Sequence, residues 1–361
     1  MPDTHYIPPD SLERAAFEIF KASGSPEAEA RLIASRLLKS NLAGHDSHGV
    51  IRIPFYMRLL RDGIIKAGAE VEIVKDNGAT VLVDGHWGYG QSAMEQTSHI
   101  AVARAQEHGI SAVGVTHLLH IGRLADYAIT AANAGLIGIV STSAGGVGQK
   151  VTPFGGIAAR IATNPFAAAF PGGAYAPVVF DMATSTVAEG KVQVMRDGKL
   201  EAPENILIDK EGNPTRNPLD LYEGGAILPV GGAKGYKGYL MAFMVEVLAG
   251  LLTGGGFVGK EEDPAFNNCT FMICIDVESF RPLNTFKGEI DRLIDYLKAT
   301  PARPGEGVLY PGEVEARKEE ERRRTGIPLA DTTVKNLQQE MDTLGIPIRL
   351  EAQAVAPTPQ S

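Results

Sequence analysis

Cysteine is nearly missing from this chain. Cys269 and Cys274 are the only two in 361 residues, which excludes a disulfide framework and a cysteine-rich zinc site. On a strand TFMICID their odd spacing would turn the two thiols to opposite faces, so both are expected to stay reduced. A basic excess is missing too: 34 basic residues face 43 acidic ones, a formal charge of −9. Phosphate-backbone binding normally needs the opposite balance, so nucleic acid is not an expected partner. The opening MPDTHYIPPDS has neither a basic start nor an apolar run, and the most apolar stretch, YLMAFMVEVLAGLL, is interrupted by Glu246. Neither a signal peptide nor a membrane span is expected, and the expected setting is a reducing cytoplasm. Histidine is missing from the last two thirds, all eight lying at 5, 45, 48, 86, 99, 108, 117 and 120.

What is present reads as a globular protein, with 44% hydrophobic and 21% charged residues. The length exceeds what one simple core usually covers, so two units, or one unit with a large insertion, are expected. Glycine is in surplus at 41 residues, about 11% against a usual share of roughly 7%, and calls for tight turns or close backbone approach. Residues 9–44 read as two helices with Pro-Asp-Ser and Ser-Pro-Glu starts and glycine stops, and VIRIPFYMRLLRDG as a short amphipathic helix entered through Pro54. Strands VEIVKD and ATVLVDG, a helix over about 91–107 and strand SAVGVTH follow. Then come candidate strands GLIGIVSTS, AARIATNPFAAAF and APVVFDMA, a turn-rich segment from MRDGK to NPLD, and a helix over about 238–253 closed by Gly254-Gly255-Gly256. Strand TFMICIDV precedes the last helices, and the tail AQAVAPTPQS is expected to be disordered. The pattern is α/β or α+β with an inserted sheet domain.

Three glycine-rich segments invite a nucleotide reading. Gly88-Tyr89-Gly90-Gln91-Ser92-Ala93 follows a strand and opens a helix, but no acid stands about twenty residues on to grip a ribose, which leaves a tight strand-to-helix turn. GGGFVGK at 254–260 continues into Glu261 rather than Ser or Thr and follows a helix, so it reads as a helix stop and loop. Gly231 to Gly238 precedes the most apolar helix and carries Lys234 and Lys237. It fits an anion site at a helix N-terminus and equally a plain glycine-rich loop. The HxxH pairs His45/His48 and His117/His120 have zinc-like spacing, yet both sit at element ends without an accompanying carboxylate, and no metal is expected there. Ser47-His48-Gly49 with Arg52 offers a group that can carry a proton near neutral pH and a two-pronged carboxylate holder. Alone, His48 also fits a capping or core histidine. Asp181, at the end of strand APVVF, suits a carboxylate that orients a histidine, or an N-cap for a following helix.

Taken in order, DSHGVIRIPFY (46–56), HIGR (120–123), TPFGG (152–156), TNP (163–165), PVVFDMATSTVAEGK (177–191), LPVGGAKGYKG (228–238), LLTGGGF (251–257) and YPGE (310–313) ahead of GIP (326–328) resemble the malate/L-lactate dehydrogenase family of NAD(P)-dependent 2-oxo acid reductases. The flavour is closest to its hydroxycarboxylate dehydrogenase branch. The resemblance implies a non-Rossmann α/β (α+β) fold, with a largely antiparallel cofactor-binding sheet inserted in a helical dimerisation scaffold. It divides the chain into 1–117 with 297–361 as scaffold, substrate and dimerisation domain, and 118–296 as the inserted NAD(P)-binding domain. The implied reaction is hydride transfer between NAD(P)H and a 2-oxo acid, in a homodimer. His48 is then the proton donor and acceptor, Asp181 its orienting and charge-balancing partner, Ser47 a member of the same relay, and Arg52 the holder of the substrate carboxylate. Implied cofactor contacts are His120, Gly122, Arg123, Ser143, Asn164, Met182, Ala183, Thr184, Lys234, Gly235, Gly312 and Glu313. Many relatives have an aromatic residue and a small residue where Ile121 and Arg123 stand here, which leaves the substrate class open. The lean to NAD is slight, resting on the lack of an obvious arginine cluster for a 2′-phosphate. A cyclic imine-2-carboxylate remains an alternative substrate, and a metal-dependent hydrolase or lyase built on the HxxH pairs is the alternative from another class.

Overall fold

The computed structural model describes residues 4–259 and 267–353. Lys260 of the GGGFVGK segment and residues 354–361 of the tail lie outside the described residues, and with them the expectation for the tail.

In chain order the protein begins with β1 (Thr4–Ile7), α1 (Pro9–Ala22), α2 (Glu27–Leu42) and α3 (Ile53–Arg61), followed by β2 (Glu72–Asp76), β3 (Thr80–Gly88), α4 (Gly90–His108) and β4 (Ile110–Leu118). The middle holds α5 (Ala125–Asn133), β5 (Leu136–Thr142), β6 (Phe166–Phe170), β7 (Val178–Met182) and α6 (Glu189–Asp197), with the two-residue strands β8 (Leu207–Ile208), β9 (Pro214–Thr215) and β10 (Ala226–Ile227). The chain continues through α7 (Tyr236–Val245), β11 (Thr270–Asp276), α8 (Leu283–Lys298), α9 (Glu313–Thr325), β12 (Ile327–Ala330) and α10 (Asp331–Thr343).

Helical spacing explains the first layer. On α1 the buried residues are Leu12, Ala15, Ala16, Ile19 and Phe20, a single stripe. They pack with Ile33, Leu37 and Leu42 of α2, Tyr56 and Met57 of α3 and Leu337 and Met341 of α10 in one helical core. Antiparallel pairing of β1 with β12, from Thr4 opposite Ala330 to Ile7 opposite Ile327, ties the two ends of the chain to this layer.

The second layer is a seven-stranded sheet in the order β2-β3-β4-β11-β5-β6-β7. Only β3 and β4 run parallel; the other neighbours are antiparallel, as the resemblance implies. Val83, Val113, Val115, Val140, Ala167 and Met272 turn toward α4 and α5, whose Ala101, Ala105, Ala128 and Ala131 lie against them in a second core. Alanine on the helix side lets helix and sheet approach closely. A small third core, with Val151, Val192, Leu207 and Ile227, gathers β8, β10 and α6.

Some expectations differ from what is found. The sheet takes β2, β3 and β4 from residues 72–118, so it crosses the expected boundary at 117/118, because β4 pairs with β11 from far along the chain. AARIATNPFAAAF is a strand only from Phe166. Asn164 takes the left-handed conformation (φ 37) and Pro165 has no N–H, while Ile161 makes only an isolated bridge to Val151. The apolar helix ends as α7 at Val245 and continues as a π-helical segment, Glu246–Leu251. No helix begins directly after Asp181, so the N-cap reading fails; α6 starts only at Glu189. Both cysteines are free and buried. No helix among the described residues is long and apolar enough to cross a membrane.

Candidate active site

His48 ends the first of two short 3-10 turns, Asp46–His48 and Val50–Arg52, that connect α2 to α3. The far end of the chain pins this segment: both terminal guanidinium nitrogens of Arg322, on α9, hold the Asp46 carboxylate at 2.7 and 2.9 Å. Asn41 adds a bond from Nδ2 to Asp46 at 2.7 Å, and its Oδ1 accepts the Val50 amide at 2.9 Å. The same Oδ1 would lie 2.1 Å from a Cβ on residue 49, so only glycine lets the chain pass.

Ser47 Oγ lies 3.0 Å from His48 Nδ1, and Arg52 Nε donates to the Ser47 carbonyl at 2.6 Å. The His48 ring is stacked on that of His120, centroids 5.4 Å apart and planes 19° from parallel. His120 comes from the loop after β4 and is held in turn: its Nδ1 is 2.7 Å from the Tyr56 hydroxyl, which receives Gln91 Nε2 at 2.7 Å. With the amide donating, the phenol proton is left for His120 Nδ1, an assignment that puts the imidazole proton on Nε2 and leaves Gln91 Oε1 buried without a partner. Close backbone passage makes this possible, since a Cβ on residue 90 would meet the carbonyl oxygens of Leu119 and His120 at 2.2 and 2.5 Å. That is the use of the Gly88-Tyr89-Gly90 turn.

Two cavities meet at His48. The first, about 260 Å³, is lined by Ser47, His48, Arg52, His120, Ser143 and Asn164 among others. The second, about 810 Å³, carries His48, Arg123, Asp181, Met182, Ala183 and Lys191 on its walls, and Gly122 borders both. Burial, then the charges of Arg52, His45, Arg123 and Lys191, pushes the His48 imidazole down to about 3 from its ordinary 6.5. His120 is lowered as well, by burial first and then by Arg52 and His48. Burial raises the Asp181 carboxyl, against the Ala125 amide that it accepts at 2.9 Å and the nearby positive charges. Asp181 and His48 thus share a cavity wall, while the direct contact on His48 Nδ1 is Ser47.

Of the expected cofactor contacts, His120, Gly122, Arg123, Ser143, Asn164, Met182 and Ala183 line these cavities. Thr184 turns inward and donates to the Thr163 and Asn164 carbonyls, bracing the strand connection. Lys234 ends a 3-10 turn that Gly235 joins to α7, and Gly312 and Glu313 stand at the start of α9; none of the four lines either cavity. Glu313 instead pairs with Lys298 and Arg317, and the α9 residues facing the second cavity are Val314, Glu315 and Lys318. The sequence reading missed Tyr56, Gln91 and Lys191, although each stands inside a segment it quoted. A phenol two residues after Pro54, on an otherwise apolar helix stripe, was the available signal for Tyr56.

The HxxH pairs do not converge. His45 faces Glu315, His48 faces Ser47, and His117 faces Asp84 at 2.9 Å. Among the described residues no group of three or more His, Cys, Asp or Glu side chains could hold a metal ion.

Three residues that line the cavities carry a buried polar atom without a partner: Ser143 Oγ, Asn164 Oδ1 and Arg123 Nε. Such atoms are expensive unless something binds them. Together with a cavity of a size that takes a drug-sized or larger ligand, they fit an extended polar cofactor.

Comparison with known proteins agrees. A family profile described as malate/L-lactate dehydrogenase matches residues 7–338. Hydroxycarboxylate dehydrogenase B of Escherichia coli O157:H7 is 36% identical over 335 residues, covering 91% of each chain. The crystal structure of malate dehydrogenase from Entamoeba histolytica superimposes with a TM-score of 0.91 at 27% identity, over 96% of this chain and 99% of that one. More distant is the delta1-piperideine-2-carboxylate reductase of Pseudomonas syringae, with a TM-score of 0.80 and 26% identity over 93% and 99% of the two chains.

Proposed function

The chain belongs to the malate/L-lactate dehydrogenase family and is a 2-hydroxy acid dehydrogenase that works with a nicotinamide cofactor, and we propose that its chemistry runs through His48 where the two cavities meet. The observation that carries this reading is the half-buried Ser47–His48–Arg52 constellation, with an acid-base group and a carboxylate holder on one wall.

Arg52 holds the carboxylate of the 2-oxo acid. That offsets the strongest charge effect on His48, second only to burial in holding its imidazole down, and raises its pKa toward proton uptake as the substrate arrives. Ser47 fixes the ring through Nδ1 and leaves Nε2 to carry that proton to the carbonyl oxygen; in the oxidative direction neutral His48 is already the base. Asp181 balances the imidazolium across the shared cavity. His120, Gly122, Arg123, Ser143, Asn164, Met182 and Ala183 would hold the cofactor, whose nicotinamide supplies the hydride. Thr184, Lys234, Gly235, Gly312 and Glu313, none of which lines the two cavities, complete the proposed set of cofactor contacts.

NAD is the cofactor we favour, since the sequence offers no arginine cluster for a 2′-phosphate. We place the protein in a reducing cytoplasm on its free, buried thiols. A homodimer is supported by the outer face of α7 and its continuation, where Leu240, Phe243, Met244, Leu251 and Leu252 are all exposed. An apolar stripe of that kind is more typical of an interface than of a monomer surface.

One panel tests the function: 2-oxo acids, 2-hydroxy acids and cyclic imines, each with NADH or NADPH (NAD or NADP for the hydroxy acids), followed by nicotinamide absorbance. Turnover of 2-oxo acids, lost in His48→Ala and with a raised KM in Arg52→Ala, is the expected result. Turnover of cyclic imines alone would move the substrate to that class, which the Pseudomonas syringae enzyme makes the second reading.

A further inference from the structure

Glu246 is a buried carboxylate, 7% exposed, that the mechanism above does not use. It opens the π-helical segment after α7, and such segments are rare and often mark functional sites. Its Oε1 accepts the Val258 amide at 2.7 Å, and its Oε2 accepts Asn164 Nδ2, also at 2.7 Å. The same Nδ2 donates to the Ala242 carbonyl, one helical turn earlier, at 2.9 Å. Both hydrogens of the Asn164 amide are thus committed to the helix. Turning the amide over would set its oxygen against a carboxylate and a carbonyl, with no hydrogen between them. Asn164 Oδ1 is therefore fixed as the remaining polar atom of a residue that lines the first cavity, and it is buried without a partner. Ser143 Oγ, on the same cavity, has none either.

We propose that Glu246 is a positioning residue, which locks Asn164 so that Oδ1 is held as an acceptor at the first cavity, to receive with Ser143 Oγ the N–H donors of the nicotinamide carboxamide. This rests on the reading of that cavity as the nicotinamide end of the site. Glu246 touches neither substrate nor cofactor and acts only through the orientation of Asn164. A carboxylate suits the task because it only accepts. Glutamine in its place must either present a donor to Asn164 or give up the Val258 amide.

The test compares binding of the natural cofactor, NADH or NADPH, whichever the wild type binds more tightly, with its 3-acetylpyridine analogue, in which a methyl ketone replaces the carboxamide. Both are titrated by fluorescence or calorimetry against wild type and Glu246→Gln. Wild type should prefer the carboxamide by about tenfold, and the preference should shrink toward one in Glu246→Gln with the analogue's own affinity little changed. A merely structural role would weaken both cofactors alike and leave their ratio intact, and that result would overturn the inference while leaving the dehydrogenase reading untouched. Failure of the wild type to bind either natural cofactor would overturn both. Should Glu246→Gln not fold, a crystal structure of the wild-type cofactor complex decides. Asn164 Oδ1 and Ser143 Oγ within hydrogen-bond distance of the carboxamide nitrogen supports the inference, and an Asn164 oxygen that contacts protein alone refutes it.

Discussion

Acid should destabilise the substrate-free protein through His48, by an amount that can be worked from its surroundings. Its imidazole is held down to about 3 in the fold, against 6.5 for a free histidine. Above pH 6.5 both folded and unfolded chains carry it neutral and it contributes nothing. Below that, the unfolded chain takes up a proton that the folded chain refuses, so stability falls by about 1.4 kcal/mol for each pH unit until the folded pKa is reached. Between pH 7 and pH 5 the loss from this residue amounts to about 2 kcal/mol, an upper bound because the ring borders the cavities and water there partly solvates the imidazolium. Urea unfolding of wild type and His48→Gln at both pH values isolates the effect, since every other titrating group is common to the two proteins. Wild type should lose up to about 2 kcal/mol more than the variant on acidification. Equal losses would refute the claim that burial and the charges of Arg52, His45, Arg123 and Lys191 hold His48 neutral, and with it the idea that a bound carboxylate is what charges it.

Other expectations follow from single contacts. Arg322→Ala removes the two-pronged grip on Asp46; because Asp46 is 44% exposed on its side chain, the cost in chemical unfolding should be modest, about 1–3 kcal/mol, while kcat falls more than tenfold from loosening of the His48 turn. Unchanged kcat would detach that clamp from catalysis. Gly90→Ala sets a methyl against two carbonyl oxygens of the His120 loop and should cost about 1–3 kcal/mol and weaken cofactor binding; a variant with wild-type melting temperature would show the loop can move aside freely. Phe243→Glu, on the exposed face of α7, should turn a dimer into a monomer by light scattering, and a dimer that survives would place the interface elsewhere.

Much of the fold was legible because its elements carry strong local grammar. The stripe of Leu12, Ala15, Ile19 and Phe20 can only be one face of a helix, and ATVLVDG and TFMICID alternate or run apolar in the way of buried strands. Helices α5 and α6 were not legible. The first, ADYAITAAN, is a short alanine-rich turn amid glycines, and the second, EGKVQVMRD, buries only Val192 and so shows no stripe. The site was legible in part for the same reason: Ser47, His48 and Arg52 lie within one short segment, whereas the contacts of His120 and Asn164 come from residues far away in the chain. No spacing rule announces that Tyr56 will stand on His120, or that Glu246 will reach Asn164.

Those distant contacts explain why the site needs two cores. His48 belongs to turns fastened to the helical layer through Asn41 and Arg322, and His120 to a loop at the end of a sheet strand. Their rings stack only because Gly90 lets the start of α4 pass against the His120 backbone, and because Tyr56, from the helical layer, reaches the far nitrogen of His120. A shift of either layer would therefore move one ring off the other before it broke any bond within a layer. The positive charges around the rings work in the same direction. With burial, which has the larger effect, they keep His48 uncharged while the cavities hold no anion, and a carboxylate at Arg52 offsets the part due to charge, which couples proton uptake to its arrival. Affinity for a 2-oxo acid should accordingly rise as pH falls through the pKa of His48 in the complex, with one proton taken up per molecule bound. Calorimetry in buffers of different ionisation heat measures that uptake directly, and binding with no proton taken up would mean that the acid is charged by some group other than the substrate.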